Sequence, residues 1–219
     1  MKSLDPRWWK GKRVLVTGAD GFVGQRVISL LMEWELVPSA HIRRFSLPDG
    51  DLRSSSDARW AVAGCDVVLH LAADVGGWGY SSSHSADQYY NCSAIDLAVF
   101  EAARLAGGAR TLTVSCSTAY PATVSSPLVE GTLFDGPPRE SHLNIGSGVE
   151  TSIATLADMI VRQTGFSGAV VFNRNKPNGE PRRSVDISKA GRELGYAPDV
   201  PLEVGLQRTI DWYRQRSSA

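Results

Sequence analysis

The segment from Thr17 to Gly24 carries the residue pattern best suited to chemistry. It reads Thr-Gly-Ala-Asp-Gly-Phe-Val-Gly and spaces three glycines as GxxGxxG. Such glycines permit a tight turn, close approach of backbone to a pyrophosphate and close helix packing, while the helix amino terminus faces the anion. The pattern predicts nucleotide binding by Gly18, Asp20, Gly21, Phe22, Val23 and Gly24. The alternative is an ordinary strand-to-helix turn.

The residues on either side of this segment favour the nucleotide-binding interpretation. Residues 13–17 form a β-branched run that predicts a strand ending at the glycines. A helix is predicted to follow, because Val23, Val27, Leu30, Leu31 and Trp34 recur at helical spacing as one apolar stripe. The glycine motif thus has the strand before it and the helix after it that a phosphate-binding turn requires.

Arg43 and Arg44 lie about twenty residues beyond the last glycine, at the predicted end of the second strand. An acidic residue there would accept a hydrogen bond from a ribose 2′-hydroxyl, whereas arginine pairs with a 2′-phosphate. The two arginines therefore predict NADP as cofactor, with NAD as the weaker candidate. The alternative is that one or both are solvated residues at a strand end. Asp51 and Leu52 are predicted to lie at the adenine edge.

Strand and helix signals alternate along the chain, which predicts an α/β fold with a parallel sheet. Further strands are predicted at 41–45, 66–71 and 111–115, with helices at 57–63 and 86–106, before a loop over 119–140. Beyond it we expect strands at 143–145 and 169–172, a helix over 152–164 and a final helix. These elements predict a Rossmann-like, doubly wound domain over residues 1–141 and a small C-terminal α/β lobe over 142–219.

Composition and charge exclude several classes of protein. Lysine plus arginine equals aspartate plus glutamate at 23 each, and the basic residues are scattered, so no nucleic-acid-binding surface is predicted. No apolar run is long enough to span a membrane and the amino terminus has no signal-peptide pattern, which predicts a cytoplasmic protein. Cys65, Cys92 and Cys116 are odd in number and lack metal-ligand spacing, so we expect no metal site and reduced, mostly buried thiols.

Several motifs occur together in one order. After the glycine motif come His70-Leu71-Ala72-Ala73, Val75-Gly76-Gly77, Asn91 and the segment 115–121, then 144–148 and 176–183. In this order they resemble the NAD-dependent epimerase/dehydratase family of extended short-chain dehydrogenases/reductases. The chain is most similar to the GDP-L-fucose synthases of that family, while residues 72–80 are similar to GDP-mannose 3,5-epimerase.

The resemblance implies a function and a set of contacts. The function would be epimerisation and NADPH-dependent reduction of GDP-4-keto-6-deoxy-mannose, so the implied partner is a GDP-hexose. The resemblance also implies further contacts. The cofactor would contact Leu71, Ala72, Ala73 and Asn91, and the substrate would contact Lys176, Arg182 and Arg183. The alternative for this basic cluster is a solvated loop that pairs with Glu180 and Asp186.

The chain departs from the family at the catalytic site. The family's general acid/base is a tyrosine with a lysine four residues later, yet the six tyrosines here are followed at that position by His84, Ser93, Ala94, Val124, Val200 and Ser217. Cys116 stands where the family has serine or threonine, so Cys116 and its neighbour Ser117 are the catalytic candidates that remain. A cysteine thiol at a strand end is more often only buried.

An internal block that contains the tyrosine–lysine segment is missing between the two matching halves. We therefore predict impaired turnover, with a non-catalytic nucleotide-binding remnant as the alternative. A five- or six-strand sheet that has lost its later strands would expose an edge, and an exposed edge favours association, for example as a homodimer.

Overall fold

The computed structural model describes residues 6–120, 127–128, 142–173, 175 and 182–217. The described residues divide into two compact units, one ending at Ser115 and the other beginning at Cys116. The sequence places the domain boundary between residues 141 and 142. Because residues 129–141 lie outside the described ranges, that boundary stays a prediction.

The first unit alternates helices and strands. Its elements are α1 (Pro6–Trp9), β1 (Val14–Thr17), α2 (Phe22–Glu33), β2 (Ile42–Phe45), α3 (Ser55–Val62), β3 (Val67–His70), α4 (Trp78–Ser83), α5 (Ser85–Leu105) and β4 (Arg110–Thr113). Short 3₁₀ turns lie at Ser39–His41 and Leu47–Asp49. Ser54 caps α3 by accepting a hydrogen bond from the backbone N–H of Asp57, and α5 ends before Gly107 and Gly108, both at positive φ.

The four strands form one parallel sheet in the order β2-β1-β3-β4. Val14 pairs with Ile42 on one side of β1 and with Val67 on the other, and Val67 also pairs with Arg110. The chain thus leaves β1 in opposite directions toward β2 and β3. Ligands of such sheets bind beyond the carboxyl ends of the strands at this reversal. The Rossmann-like, doubly wound α/β fold is confirmed.

Two buried clusters cover the two faces of the sheet. Leu15 and Val68 point toward α3 and α5, where they pack with Ala58, Ala61 and Val99. The alternate strand residues Val14, Val16 and Val67 pack on the other face with Ile28 and Leu31 of α2. Because successive strand side chains point to opposite faces, every residue of β1 is fully buried between two layers of helices.

The buried face of α2 differs from the predicted stripe. Its buried residues are Gly24, Ile28 and Leu31, while Val23 is 53% exposed and Trp34, just beyond the helix, is 47% exposed. Gly24 packs against the backbone of Gly18 and Ala19, so this position must face the turn that follows β1. That contact fixes the rotation of the helix and turns Val23 outward.

Among the described residues the sheet ends at β4, so it has four strands rather than the five or six expected from the sequence. β4 is an edge strand, and it is poorly covered: Leu112 is 56% exposed and Val114, just beyond the strand, is 64% exposed. An unpaired strand edge with apolar side chains is a surface suited to association.

The second unit contains α6 (Ile153–Thr164), α7 (Ser188–Leu194) and α8 (Leu202–Ser217). Ser152 caps α6 and Gly165, at positive φ, ends it. The strands predicted at 143–145 and 169–172 are wrong, since neither stretch is a strand in the part of the chain that the structure describes. The one bridge between described residues of this unit joins Leu128 to Val185. No helix in the described ranges is long and apolar enough to cross a membrane.

Candidate functional site

A cavity of about 730 Å³ opens within the first unit beyond the carboxyl ends of β1, β2 and β3. This is the edge of the sheet where the strand order reverses. The predicted cofactor residues that line the cavity are Gly18, Asp20, Gly21, Asp51, Leu52, Leu71, Ala72, Ala73 and Asn91. Phe22, Val23, Gly24, Arg43 and Arg44 are not among its lining residues.

The glycine turn forms one wall of the cavity, and two of its glycines are required by their surroundings. Gly18 has a φ of +62°, and a Cβ there would lie 2.9 Å from the carbonyl oxygen of Leu71. A Cβ on Gly24 would overlap the carbonyl oxygen of Gly18. Gly21 is the N-cap of α2 and has no side chain to cap it. The amino terminus of a twelve-residue helix is therefore presented at the cavity.

Thr17 and His70 lie side by side at the ends of β1 and β3 and tie the two strands together. The Thr17 hydroxyl accepts hydrogen bonds from the backbone N–H groups of Leu71 and Ala72, each at 3.1 Å. Its own proton is therefore left for Nδ1 of His70, 2.7 Å away. His70 then carries its proton on Nε2, which donates to Asp96 at 3.0 Å. These bonds fix the backbone of two residues that line the cavity.

The environment of His70 favours its neutral form. Thr17 and His70 are both buried, and burial lowers the pKa of the imidazole below its ordinary value. The hydrogen bond to Asp96 opposes this shift without reversing it. A neutral imidazole keeps Nδ1 as an acceptor, as the Thr17 hydroxyl requires.

The two arginines predicted to bind a 2′-phosphate point to opposite faces of the sheet. Nη1 of Arg43 donates to the carbonyls of Trp60, Ala61 and Ala63 at 2.7 to 2.9 Å, and its guanidinium lies over the Trp60 ring. Arg43 therefore caps the carboxyl end of α3, away from the cavity.

Arg44 instead lies beside the glycine turn. Its Nη2 is 3.4 Å from a carboxylate oxygen of Asp20, which lines the cavity, and the side chain is more than half exposed. The backbone N–H of Asp20 donates to Ser46, a lining residue just after β2. Of the two arginines, Arg44 is the one at the rim of the cavity.

A row of polar side chains bounds the cavity on its other side. Arg53 pairs with Asp51 and donates to Asn91, and Asn91 donates to Asp74 at 2.8 Å. The Tyr80 hydroxyl donates to the same Asp74 carboxylate, which raises the pKa of Tyr80. Ser46, Arg53 and Asp74 are lining residues that sequence reasoning missed.

Residues 14–142 match the NAD dependent epimerase/dehydratase family, which is more than half of the 219-residue chain. The chain belongs to this family. It is 44% identical over 72 residues to a probable GDP-L-fucose synthase 1 of Oryza sativa subsp. japonica, a match that covers 33% of this chain and 22% of the rice protein. It is 40% identical over 76 residues to the GDP-L-fucose synthase of Escherichia coli K12. That match covers 35% of this chain and 23% of the E. coli protein. Each match thus spans less than a quarter of the relative.

A solved family structure shows the same fold. The GDP-L-fucose synthetase from Naegleria fowleri bound to NADP superposes with a TM-score of 0.74 at 16% identity, covering 96% of this chain and 95% of that one. The agreement supports the assignment of the four-strand unit as the family's Rossmann-like fold.

The residues predicted to act in catalysis or to contact the substrate belong to the second unit. Cys116 is exposed, Cys92 is half-buried and Cys65 is buried, so the expectation of mostly buried thiols is wrong for Cys116. Arg183 donates to the Ser117 hydroxyl at 3.2 Å, which brings a predicted substrate residue to a predicted catalytic one. Arg182 forms a two-pronged pair with Glu150, a partner that the sequence did not suggest. Lys176 lies outside the described residues.

Proposed function

We propose that the cavity of the first unit binds NADP, in a chain related to nucleotide-sugar epimerases/reductases of the GDP-L-fucose synthase type. The observation that carries the proposal is the cavity itself. The glycine turn, the residues after β3 and the loop after β2 converge on one space of about 730 Å³, within the range of about 300 to 1,000 Å³ that is usual for ligand pockets.

The residues around the cavity fit a dinucleotide phosphate. A Cβ on Gly18 or Gly24 would clash with neighbouring backbone, so the tight turn needs glycine at both positions. The turn leads into the positive end of α2, which suits a pyrophosphate. Leu52, Leu71, Ala72 and Ile95 give the cavity an apolar wall for rings. When bound, such a cofactor supplies hydride for reduction of a carbonyl.

The carboxylates near β2 favour NADP over NAD. A ribose 2′-hydroxyl needs an acidic acceptor near the end of the second strand. Here Asp49 closes a capping box with Ser46, and Asp51 is taken by Arg53. Asp20 lies beside the cation of Arg44. The exposed guanidinium of Arg44 is therefore the group offered to a 2′-phosphate.

Fluorescence titration with NADPH and NADH tests the cofactor assignment. We expect tighter binding of NADPH, and we expect Arg44→Ala to weaken NADPH about tenfold while leaving NADH unchanged, since a hydrogen bond to a charged group is lost. Arg43→Ala is the matched control, and it should lower stability without changing the NADPH-to-NADH ratio. Equal affinities in the unmodified chain would refute the NADP assignment.

The substrate proposed by relationship is a GDP-4-keto-6-deoxy-hexose, and we propose that its turnover is impaired. Proton transfer from a placed side chain contributes about 10²- to 10⁴-fold to rate, and no tyrosine of this chain has the lysine that the family uses. The Ser117 hydroxyl is held by Arg183 and is weakly acidic. Arg182, Arg183 and Lys176 remain proposed contacts for the substrate.

Incubation of the purified chain with NADPH and the keto sugar nucleotide tests the proposed impairment of turnover. We expect no sugar-dependent loss of NADPH absorbance at a rate typical of the family. Steady oxidation that disappears in Cys116→Ala or Ser117→Ala would show that the site has been rebuilt around those residues.

A non-catalytic nucleotide-binding protein is the second candidate. The absence of a tyrosine followed by lysine at the fourth position favours it, in a chain that has the cavity proposed for the cofactor. It predicts NADPH binding with no turnover of any sugar nucleotide.

A cytoplasmic location and a homodimer are further parts of the proposal. The exposed apolar residues of the β4 edge support the homodimer, which light scattering of the purified chain would test.

A further inference from the structure

One hydroxyl group holds the ends of two neighbouring strands together beside the cavity. The Thr17 oxygen accepts hydrogen bonds from the backbone N–H groups of Leu71 and Ala72, and its proton goes to Nδ1 of His70, 2.7 Å away. A hydroxyl group has two lone pairs and one proton. All three are therefore in use, and the oxygen can accept no further donor.

The backbone that this hydroxyl holds also packs against the glycine turn. A Cβ on Gly18 would lie 2.9 Å from the carbonyl oxygen of Leu71 and 3.0 Å from the nitrogen of Ala72. Gly18, Leu71 and Ala72 all line the cavity. Any shift of the bonds to the Thr17 hydroxyl would therefore change the spacing between two walls of the cavity.

The His70 ring is enclosed by groups from three elements. β1 presents Thr17, β4 presents Thr113, which is the register partner of His70, and α5 presents Phe100 and Asp96. Of these groups only Asp96 is ionisable, and it accepts from Nε2 at 3.0 Å. An acceptor at Nε2 places the ring proton there and leaves Nδ1 as the acceptor that Thr17 needs.

Protonation of His70 would remove that acceptor. An imidazolium ring carries a proton on both nitrogens, so the new N–H at Nδ1 would point at an oxygen whose lone pairs are occupied. One of the two backbone N–H groups must then lose its bond to Thr17. Burial lowers the pKa of His70, so the ring is neutral at pH 7 and takes up its second proton only below its ordinary value of 6.5.

We propose that His70 is a positioning residue that makes dinucleotide binding depend on pH, because the cavity keeps its shape only while the ring is neutral with its proton on Nε2. The proposal rests on the proposed NADP function and adds a control of that function by protons. Asp96 selects the ring form that permits binding, and Thr17 transmits the state of the ring to the cavity wall. By linkage, a proton and a dinucleotide each weaken the binding of the other.

Substitution of Thr17 tests the transmission at pH 7.5, where His70 is neutral. Dissociation constants for NADPH are measured by fluorescence titration. Thr17→Val keeps the shape but loses the hydroxyl, and we expect it to weaken binding about tenfold, as for a buried hydrogen bond whose partners are left unpaired. Thr17→Ser keeps the hydroxyl and should bind NADPH within about twofold of the unmodified chain.

The pH profile of binding tests the role of the ring proton. His70→Asn keeps a side-chain oxygen that can accept from Thr17, but it takes up no proton. Both chains are titrated with NADPH from pH 7.5 down to pH 5, wherever circular dichroism shows that they are folded. The phosphates of the ligand titrate alike for both chains, so the ratio of the two dissociation constants reports on the protein. We expect a constant ratio above pH 6.5 and a growing loss for the unmodified chain below it, by at most about tenfold per pH unit.

Asp96→Ala separates selection of the ring form from a merely structural role. The Asp96 side chain is 49% exposed, so this variant should fold. Without its acceptor the ring proton can move to Nδ1, and we expect weaker NADPH binding at pH 7.5. The hydrogen bond to Asp96 also raises the pKa of His70, so in Asp96→Ala the loss of binding in acid should begin at lower pH. His84→Asn, which removes an exposed histidine outside the cavity lining, should keep the profile of the unmodified chain.

Two results would overturn the proposal while leaving NADP binding intact. One is equal affinity of Thr17→Val and Thr17→Ser for NADPH. The other is a constant ratio between the unmodified chain and His70→Asn at every pH, which would mean that the ring proton does not act on the cavity. If a variant of Thr17 or His70 does not fold, Asp96→Ala decides, because its acid profile must then differ from that of the unmodified chain. Absence of NADPH binding by the unmodified chain at pH 7.5 would instead overturn the proposed function, and this inference with it.

Discussion

The two units of the chain differ in where their apolar side chains lie. In the first unit, both faces of the sheet are covered and the strand residues Leu15, Val16 and Val68 are completely buried. In the second unit, α6 has an apolar face along its length, yet none of its residues is buried. The buried apolar side chains among its described residues are Tyr120, Leu128 and Ala190.

This difference shows that a local pattern can specify a helix without specifying a core. Ser152 and Gly165 define the ends of α6 by capping, which needs no tertiary partner. Burial, by contrast, needs a second surface, and most helix stability in proteins comes from that packing. Among the described residues of the second unit, no such surface buries a residue of α6. The first unit should therefore be the stable, ligand-binding part of the chain.

Truncation of one apolar residue in each unit should give the largest contrast. Leu15→Ala leaves a cavity between the sheet, α3 and α5, and should lower the free energy of unfolding by about 2 to 5 kcal/mol. Ile153→Ala, at a residue 73% exposed on α6, should change it by less than about 0.5 kcal/mol. Urea unfolding followed by circular dichroism measures both. Equal losses would show that α6 is packed in solution.

Substitution of a glycine in the turn after β1 should have a larger effect on stability and NADPH binding than substitution of a glycine elsewhere in the same unit. Gly24→Ala places a methyl group against the carbonyl of Gly18, so we expect about 1 to 3 kcal/mol of destabilisation and loss of NADPH binding. Gly79→Ala in α4 is the control, because nothing lies within 4 Å of its added Cβ. Thermal unfolding and NADPH titration check both variants. Retained binding in Gly24→Ala would argue against the turn as the phosphate site.

The central strands β1 and β3 of the first unit could be predicted because both are short runs rich in valine, and β1 ends at a glycine. The helix α4 was missed, since Trp78–Ser83 contains a glycine and three serines and has no apolar period. The predicted strands of the second unit failed for a different reason. Apolar runs such as 169–172 become strands only beside a partner, and a sequence does not show whether that partner is present.

Within the site, the sequence could have shown that Arg43 and Arg44 do not share one role. Adjacent strand residues point to opposite faces, so Arg43 and Arg44 could not both reach one phosphate. The fork of Arg53 on Asp51 could not be predicted, because it depends on the path of the loop after β2. The pairing of Thr17 with His70 likewise depends on strand register, which joins residues 53 positions apart.

Acid should destabilise the first unit through His70. Burial lowers the folded-state pKa of this histidine below its ordinary value of 6.5, so folding favours the neutral form. The full free energy of unfolding is therefore present above pH 6.5, where His70 is neutral in both states. Part of it is lost as the pH falls below 6.5 toward the folded-state pKa. The slope from one group is at most about 1.4 kcal/mol per pH unit.

Urea midpoints measured between pH 7.5 and 5 check the His70 prediction. His70→Gln should be less stable at pH 7.5 and should lose this part of the slope. His84→Gln, which removes an exposed histidine, should retain it. The carboxyl groups with lowered pKa values, Asp51, Glu101, Glu150 and Asp186, add their own losses only as the pH falls below their ordinary values, which is outside this range. A slope unchanged in His70→Gln would assign the acid sensitivity to other groups.

The smallest effect is expected for Arg182, and it distinguishes two adjacent arginines of the second unit. Arg182 pairs with Glu150, but its side chain is 76% exposed, and water and salt screen such pairs so that they add little to stability. Arg183 is partly buried and donates to Ser117, so its removal leaves a polar group without that partner. Arg182→Ala should therefore leave the melting temperature unchanged within error, at low and at high salt, while Arg183→Ala should lower it. The opposite order would mean that the exposed pair, rather than the contact with Ser117, stabilises this part of the second unit.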